Sequence, residues 1–120
     1  MTFVEFISEL HDSKQQSIVW HHQTTSFSEH KALNNYYDEI LELIDDLVES
    51  TTGIYGRPIN YSVATLVNYS SNEQLIAYYK ALYAFVQKER KTIYQDTWIQ
   101  NQVDEIAALI AKTLYLLTLK

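Results

Sequence analysis

The chain holds no cysteine, one proline and two glycines in 120 residues. Without cysteine there is no disulfide framework and no thiolate metal site. Any metal must then be held by His, Asp and Glu. So few turn formers argue against a strand-rich fold of this length; long helices with few connections are the economical alternative. No apolar run approaches the roughly 20 residues that a membrane-spanning helix needs. Positive charge is also scarce: nine Lys and Arg stand against 15 Asp and Glu, for a net charge of −6 and a pI near 5.0. Phosphate contacts need a basic patch, so this balance excludes nucleic-acid binding by charge alone. The one tight cationic cluster, "KERK" at Lys88 to Lys91, reads as a solvated helix end where positive charge suits the dipole. The opening "MTFVEFISELHDSK" has acidic residues where a signal peptide would carry basic ones. The expectation is one cytoplasmic domain spanning residues 1–120, large enough to bury a core.

What is present has helical periodicity. Four amphipathic helices are expected at about residues 2–22, 27–51, 72–92 and 96–118. The first carries Phe3, Ile7, Leu10, Lys14 and Ile18 at three- and four-residue steps, diluted by Gln15, Gln16 and Ser17. The second opens on a capping box, with Ser26 as N-cap and Glu29 three residues on, and closes at Gly53. Its stripe is Leu33, Tyr36, Tyr37, Ile40, Leu41, Ile44, Leu47 and Val48. Capping registers at Ser70/Glu73 and Ser71/Gln74 both serve the third helix, and Asp96 is positioned to cap the fourth. Several of the ten tyrosines lie at helical spacing and are expected as amphipathic core or interface residues with the hydroxyl at the edge. Short links predict antiparallel helix pairs. A link of roughly 20 residues between the second and third helices predicts a long crossover. That is an all-α, ferritin-like four-helix bundle: two antiparallel hairpins joined by a crossover.

Three of the four histidines fall in "WHHQTTSFSEH", Trp20 to His30. His21 and His22 end the first helix and His30 opens the second, so the turn brings them to one end of the hairpin. Neutral imidazole is a ligand for iron, zinc and other transition metals. Seven of the 15 acids lie between Glu29 and Glu49, where Asp45 and Glu49 share a helix face and oppose the negative dipole end. A metal, Arg57 or solvent would compensate them. His30 and Asp45 are about 22 Å apart by helical rise and cannot share an ion within one chain. Two chains packed antiparallel about a twofold axis would bring them together. The alternative is that the histidines are polar turn residues and the acids a solvated face. A di-metal centre inside one monomer is disfavoured, because no Glu-x-x-His pair occurs.

These residues carry a family resemblance, densest from Val19 to Arg57. The chain resembles the Dps proteins, small ferritin-like proteins of starved bacteria, and looks closest to a short, phage-encoded branch of that superfamily. His30, then Asp45, then Glu49 match the family spacing of a histidine early in the second helix and two carboxylates farther along it. His21 falls at the family's first histidine, with a turn three residues shorter. His22 stands where a tryptophan is usual, so His22 is the alternative to His21. The resemblance implies a homodimer or larger homo-oligomer with an intersubunit site. His21 and His30 would come from one subunit, Asp45 and Glu49 from its mate. It further implies iron as the metal, ferroxidase activity, and residence in the cytoplasm, the host's if phage-encoded. The basic tail that many family members use on DNA does not carry over to this acidic chain, so DNA binding is not expected. The competing expectation is a non-catalytic interaction or structural protein that keeps the bundle and dimer without ferroxidase activity.

Overall fold

A computed structural model describes all 120 residues. Four helices and no strand make up the regular structure: α1 (Phe3–Gln23), α2 (Phe27–Tyr55), α3 (Asn72–Glu89) and α4 (Thr97–Leu116). Each start has a local cause. Thr2 and Glu5 form a full capping box on α1. Ser26 accepts the Glu29 N–H at 3.3 Å, but the Glu29 carboxylate does not reach back to complete the expected box. Thr24 Oγ1 takes the Ser26 N–H instead, at 3.1 Å. At α3 the Ser71/Gln74 register prevails. Asp96 is the N-cap of α4 without a side-chain cap bond, because its carboxylate accepts the Tyr55 hydroxyl at 2.7 Å.

Two helix ends differ from expectation. Gly53 lies inside α2, and the helix continues to Tyr55. Tyr55 stacks on Tyr94, with ring centroids 3.8 Å apart, and this contact with the α3–α4 link outweighs the roughly 1 kcal/mol that a helical glycine costs. Gly56 closes the helix at φ +89°, where a Cβ would be strained. α3 stops at Glu89 because Arg90 turns toward α4. Its guanidinium bonds the Gln100 side chain and carbonyl at 2.9 and 2.8 Å and pairs with Asp104 at 2.5 Å. Within the "KERK" cluster Arg90 is therefore a tether between helices, while Lys88 and Lys91 are exposed, as a solvated helix end would have them.

Three-residue and seven-residue links, residues 24–26 and 90–96, make the two hairpins. α1 packs on α2, α2 on α4 and α4 on α3, while α1 and α3 meet sparingly. The α1–α3 seam is bridged by ring contacts, Phe6 on Phe85 and Trp20 edge-on to Tyr78. The core stripes of α2 (Leu33, Tyr36, Ile40, Ile44, Leu47), α3 (Leu75, Tyr79, Leu82, Val86) and α4 (Ile99, Val103, Ile106, Ile110) follow the helical period. No helix is long and apolar enough to cross a membrane.

The buried line of α1 departs from the expected one. Beyond Leu10 it runs through Ser13, Ser17 and Trp20, and both serines are fully buried. Each serine hydroxyl donates to a carbonyl one turn back, Leu10 and Ser13 respectively, both at 2.7 Å. One hydroxyl has one proton, so the partner tyrosines must be the donors: Tyr36 to Ser13 at 2.7 Å, and Tyr79 to Ser17. Tyr36 and Tyr79 are thus buried with their hydroxyls instead of holding them at the edge, and burial pushes the pKa of both phenols well up. Removing Ser17 strands a buried hydroxyl. Ser17→Ala should lower urea stability by about 1–3 kcal/mol, and Ser17→Ala combined with Tyr79→Phe should cost less than the two single changes summed. Additive losses would show that the pair is not coupled.

Candidate functional site

The three-residue turn between α1 and α2 forces His21 and His30 face to face. Their ring centroids are 3.7 Å apart and the planes differ by 19°. Each Nδ1 bonds the other residue's backbone carbonyl, His21 to His30 at 2.9 Å and His30 to His21 at 3.0 Å. A carbonyl only accepts, so both Nδ1 atoms carry a proton, and each Nε2 is left to bond elsewhere. Tyr37 meets His21 edge-on at 5.2 Å, and Phe27 lies 6.5 Å beyond His30. His21 is buried by these neighbours. His22 stays exposed, outside the reciprocal pair.

Asp45 and Glu49 are not part of this cluster. Both are exposed on the distal half of α2, in no ion pair and no hydrogen bond. Because α2 is one continuous helix, its rise alone keeps His30 and Asp45 about 22 Å apart. Arg57 does not compensate the acids; the only ion pair is Arg90 to Asp104. No three His, Asp or Glu side chains converge within the chain. The charge of Asp45 instead acts on His11, the one histidine that sequence patterning left aside. Burial lowers the His11 pKa, helped by Lys14 and opposed by Asp45 and Asp12.

Next to the histidine turn is a group that patterning assigned only to a cap. The buried Glu29 carboxylate accepts hydrogen bonds from Thr24 at 2.5 Å, Tyr69 at 2.7 Å and Asn72 at 2.7 Å. Asn72 also donates to the Leu117 carbonyl at 3.0 Å. One carboxylate therefore joins the first turn, the end of the crossover, the start of α3 and the end of α4. Burial raises the Glu29 pKa, but the three donors together outweigh it and leave the group below the ordinary carboxylate range. No local spacing signals this, since Tyr69 and Asn72 are 40 and 43 residues away.

A second feature is the crossover, residues 56–71. After a left-handed Asn60 at φ +68°, it runs alongside α1 in the same direction from Ser62 to Tyr69, held by α1 side chains. Ser8 takes the Ser62 N–H at 3.1 Å, and Asp12 takes that of Ala64 at 3.1 Å. Gln16 bonds both the N–H and the carbonyl of Val67, at 2.8 and 2.9 Å, as a strand neighbour would. Gln23 takes the Tyr69 N–H at 2.7 Å. Ser8, Asp12 and Gln16 are four residues apart and so share one face of α1. That polar stripe was the available signal, and it reads on its own as a solvated face.

A family model described as a family of unknown function (DUF5856) matches residues 21–117, from the end of α1 through α4. The chain belongs to that family. No curated protein and no solved structure matches it. In this DUF5856 chain the matched span contains the histidine pair, Glu29 with its donors Thr24, Tyr69 and Asn72, and the whole crossover.

Glu29→Gln turns an acceptor into a donor that faces other donors. It should cost about 1–3 kcal/mol in urea unfolding at pH 7. The sign of the pH effect follows from the lowered folded-state pKa. The wild-type contribution is complete above the ordinary carboxylate pKa and is lost as pH falls through the lower folded value. The stability gap between wild type and Glu29→Gln should therefore narrow in acid. A gap that stays constant from neutral pH down to acid would refute the charged assignment.

Proposed function

We propose that the chain is a non-catalytic binding bundle that presents the outer edge of its crossover to a protein partner. The order of the helices supports a ferritin-like connectivity for the scaffold. One observation carries the binding reading: the crossover is extended and only half paired. The N–H groups of Ser62, Ala64, Val67 and Tyr69 bond α1 side chains, while those of Tyr61, Val63, Thr65, Leu66 and Asn68 bond no protein group. Ile59 is 70% exposed and Val63 89%. Extended segments of this kind bind by strand addition, with main-chain bonds supplying affinity and alternate side chains supplying selectivity. In dilute solution, amide exchange at Ser62, Ala64 and Val67 should be at least tenfold slower than at Tyr61, Val63 and Thr65. Equal rates along the segment would remove the basis for this reading.

The histidine pair favours a second reading, metal binding of the Dps kind. In their neutral form His21 and His30 would each offer Nε2 to a metal, and a carbonyl bond on the opposite nitrogen is the support that ligating histidines use. A ring binds a metal near its own plane at about 2.1 Å. Two nearly parallel planes do not converge at that distance, so the stacked pair offers one nitrogen to any one ion unless a ring turns out. Asp45 and Glu49 of a second copy would supply the carboxylates, and iron oxidation would be the chemistry. Anaerobic Fe(II) titration tests it. Wild type should bind stoichiometrically, and His30→Ala and Asp45→Ala should each lose that binding. Retention by both variants, or no binding by wild type, removes the reading.

A further inference from the structure

We infer that the hollow between α2 and α4 binds a small organic phosphate, a monoester with an apolar body. The site shares no residue with the crossover edge or the histidine pair.

Its walls come from three places. Lys31 and Asn35 are four residues apart and share one face of α2. Lys112 and Leu116 do the same on α4, which packs against α2. Beyond α4 the chain turns back. The Leu119 N–H bonds the Leu116 carbonyl at 3.1 Å, and Ser28 Oγ donates to the Leu119 carbonyl at 3.0 Å. That clasp seats Leu119 in the wall of a hollow of about 410 Å³. The size is that of a small-molecule site, and so is the pattern: an apolar lining of Ala32, Leu116 and Leu119 with a few polar groups set into it.

Those polar groups select an anion. In a chain of net charge −6, this hollow is walled by two lysines and no acid. Neither ammonium is in an ion pair, since that of Arg90 with Asp104 is the only one. The Lys31 ammonium lies 6.0 Å from the Phe27 ring, which holds it at this end of α2. Asn35 adds a third donor: its Nδ2 is buried and bonds no protein group. A buried donor without an acceptor is costly, and a ligand oxygen would relieve it. The amide turns about a soft torsion, so a small rotation brings its N–H to the hollow.

The donor set favours phosphate over carboxylate. Two ammonium groups are point charges without the planar fork that grips a carboxylate. A phosphate monoester carries about −1.5 to −2 near pH 7 and three acceptor oxygens, which match two cations and one amide. The apolar lining then requires a body on that phosphate; inorganic phosphate would leave Leu116 and Leu119 against water.

The test is calorimetric titration of the whole chain with phenyl phosphate. It should bind at least tenfold tighter than inorganic phosphate, phenol or benzoate. Lys31→Gln and Lys112→Gln should each weaken it at least fivefold, and Lys80→Gln, an exposed control on α3, should not. Asn35→Ala separates binding from folding. Affinity should fall at least threefold while the urea midpoint holds or rises, because a buried unpartnered donor has been removed. No binding of phenyl phosphate overturns the inference. Equal binding of inorganic phosphate, phenol or benzoate overturns the monoester. Unchanged affinity in Asn35→Ala, or equal loss in Lys80→Gln, places the binding elsewhere and overturns the site. A phosphotyrosine tripeptide that binds at least tenfold tighter than phenyl phosphate overturns a free small molecule as the source.

Discussion

A buried carboxylate with no cation beside it holds one end of this bundle together. Glu29 satisfies its charge with three neutral donors from the first turn, the crossover and α3. Such donors stabilise an ionised group without a salt bridge, provided every one of them stays in place. The consequences spread from there. Tyr69 and Asn72 anchor the top of the crossover, Gly56 releases it at the bottom, and the chain between has little slack. The same tie keeps the α1–α2 turn short through Thr24, and the short turn is what presses His21 against His30.

α1 supplies polar groups in two directions. Inward, Ser13 and Ser17 receive tyrosine hydroxyls that would otherwise be buried unpaired. Outward, Ser8, Asp12 and Gln16 receive backbone N–H groups that would otherwise need a strand. A helix with a continuous apolar stripe would do neither. The diluted pattern of α1 is thus a consequence of its work as a two-sided hydrogen-bonding frame. It also explains how a long segment without secondary structure stays extended. The Gln16 amide stands in for a neighbouring peptide, donating and accepting at one residue.

Much of the helical framework is legible in local sequence. The stripes of α2, α3 and α4, the Ser26 and Ser71 caps and the scarcity of glycine all report 3.6-residue periodicity. The ends are less legible, because Gly53 and Arg90 obey contacts made across the fold. Within the candidate site, the meeting of His21 and His30 can be anticipated from the turn between them. Their stacking and reciprocal bonds cannot, since these depend on the length to which Glu29 and Thr24 hold that turn. Glu29 as a hub and His11 beside the field of Asp45 leave no mark in spacing.

By itself, the sequence determined that the chain is helical, where the helices run, and that His30 and Asp45 cannot meet on one straight helix. Those outcomes depend on neighbours within a few residues and on a fixed rise per residue. The tertiary structure alone decided which polar groups are satisfied and which are left open. A hydroxyl on α1, a carboxylate on α2 or an N–H on the crossover has no assigned partner until distant segments are brought within 3 Å or so of it. For the same reason the open edge from Tyr61 to Thr65 appears only in the fold: it consists of those backbone groups that α1 could not reach.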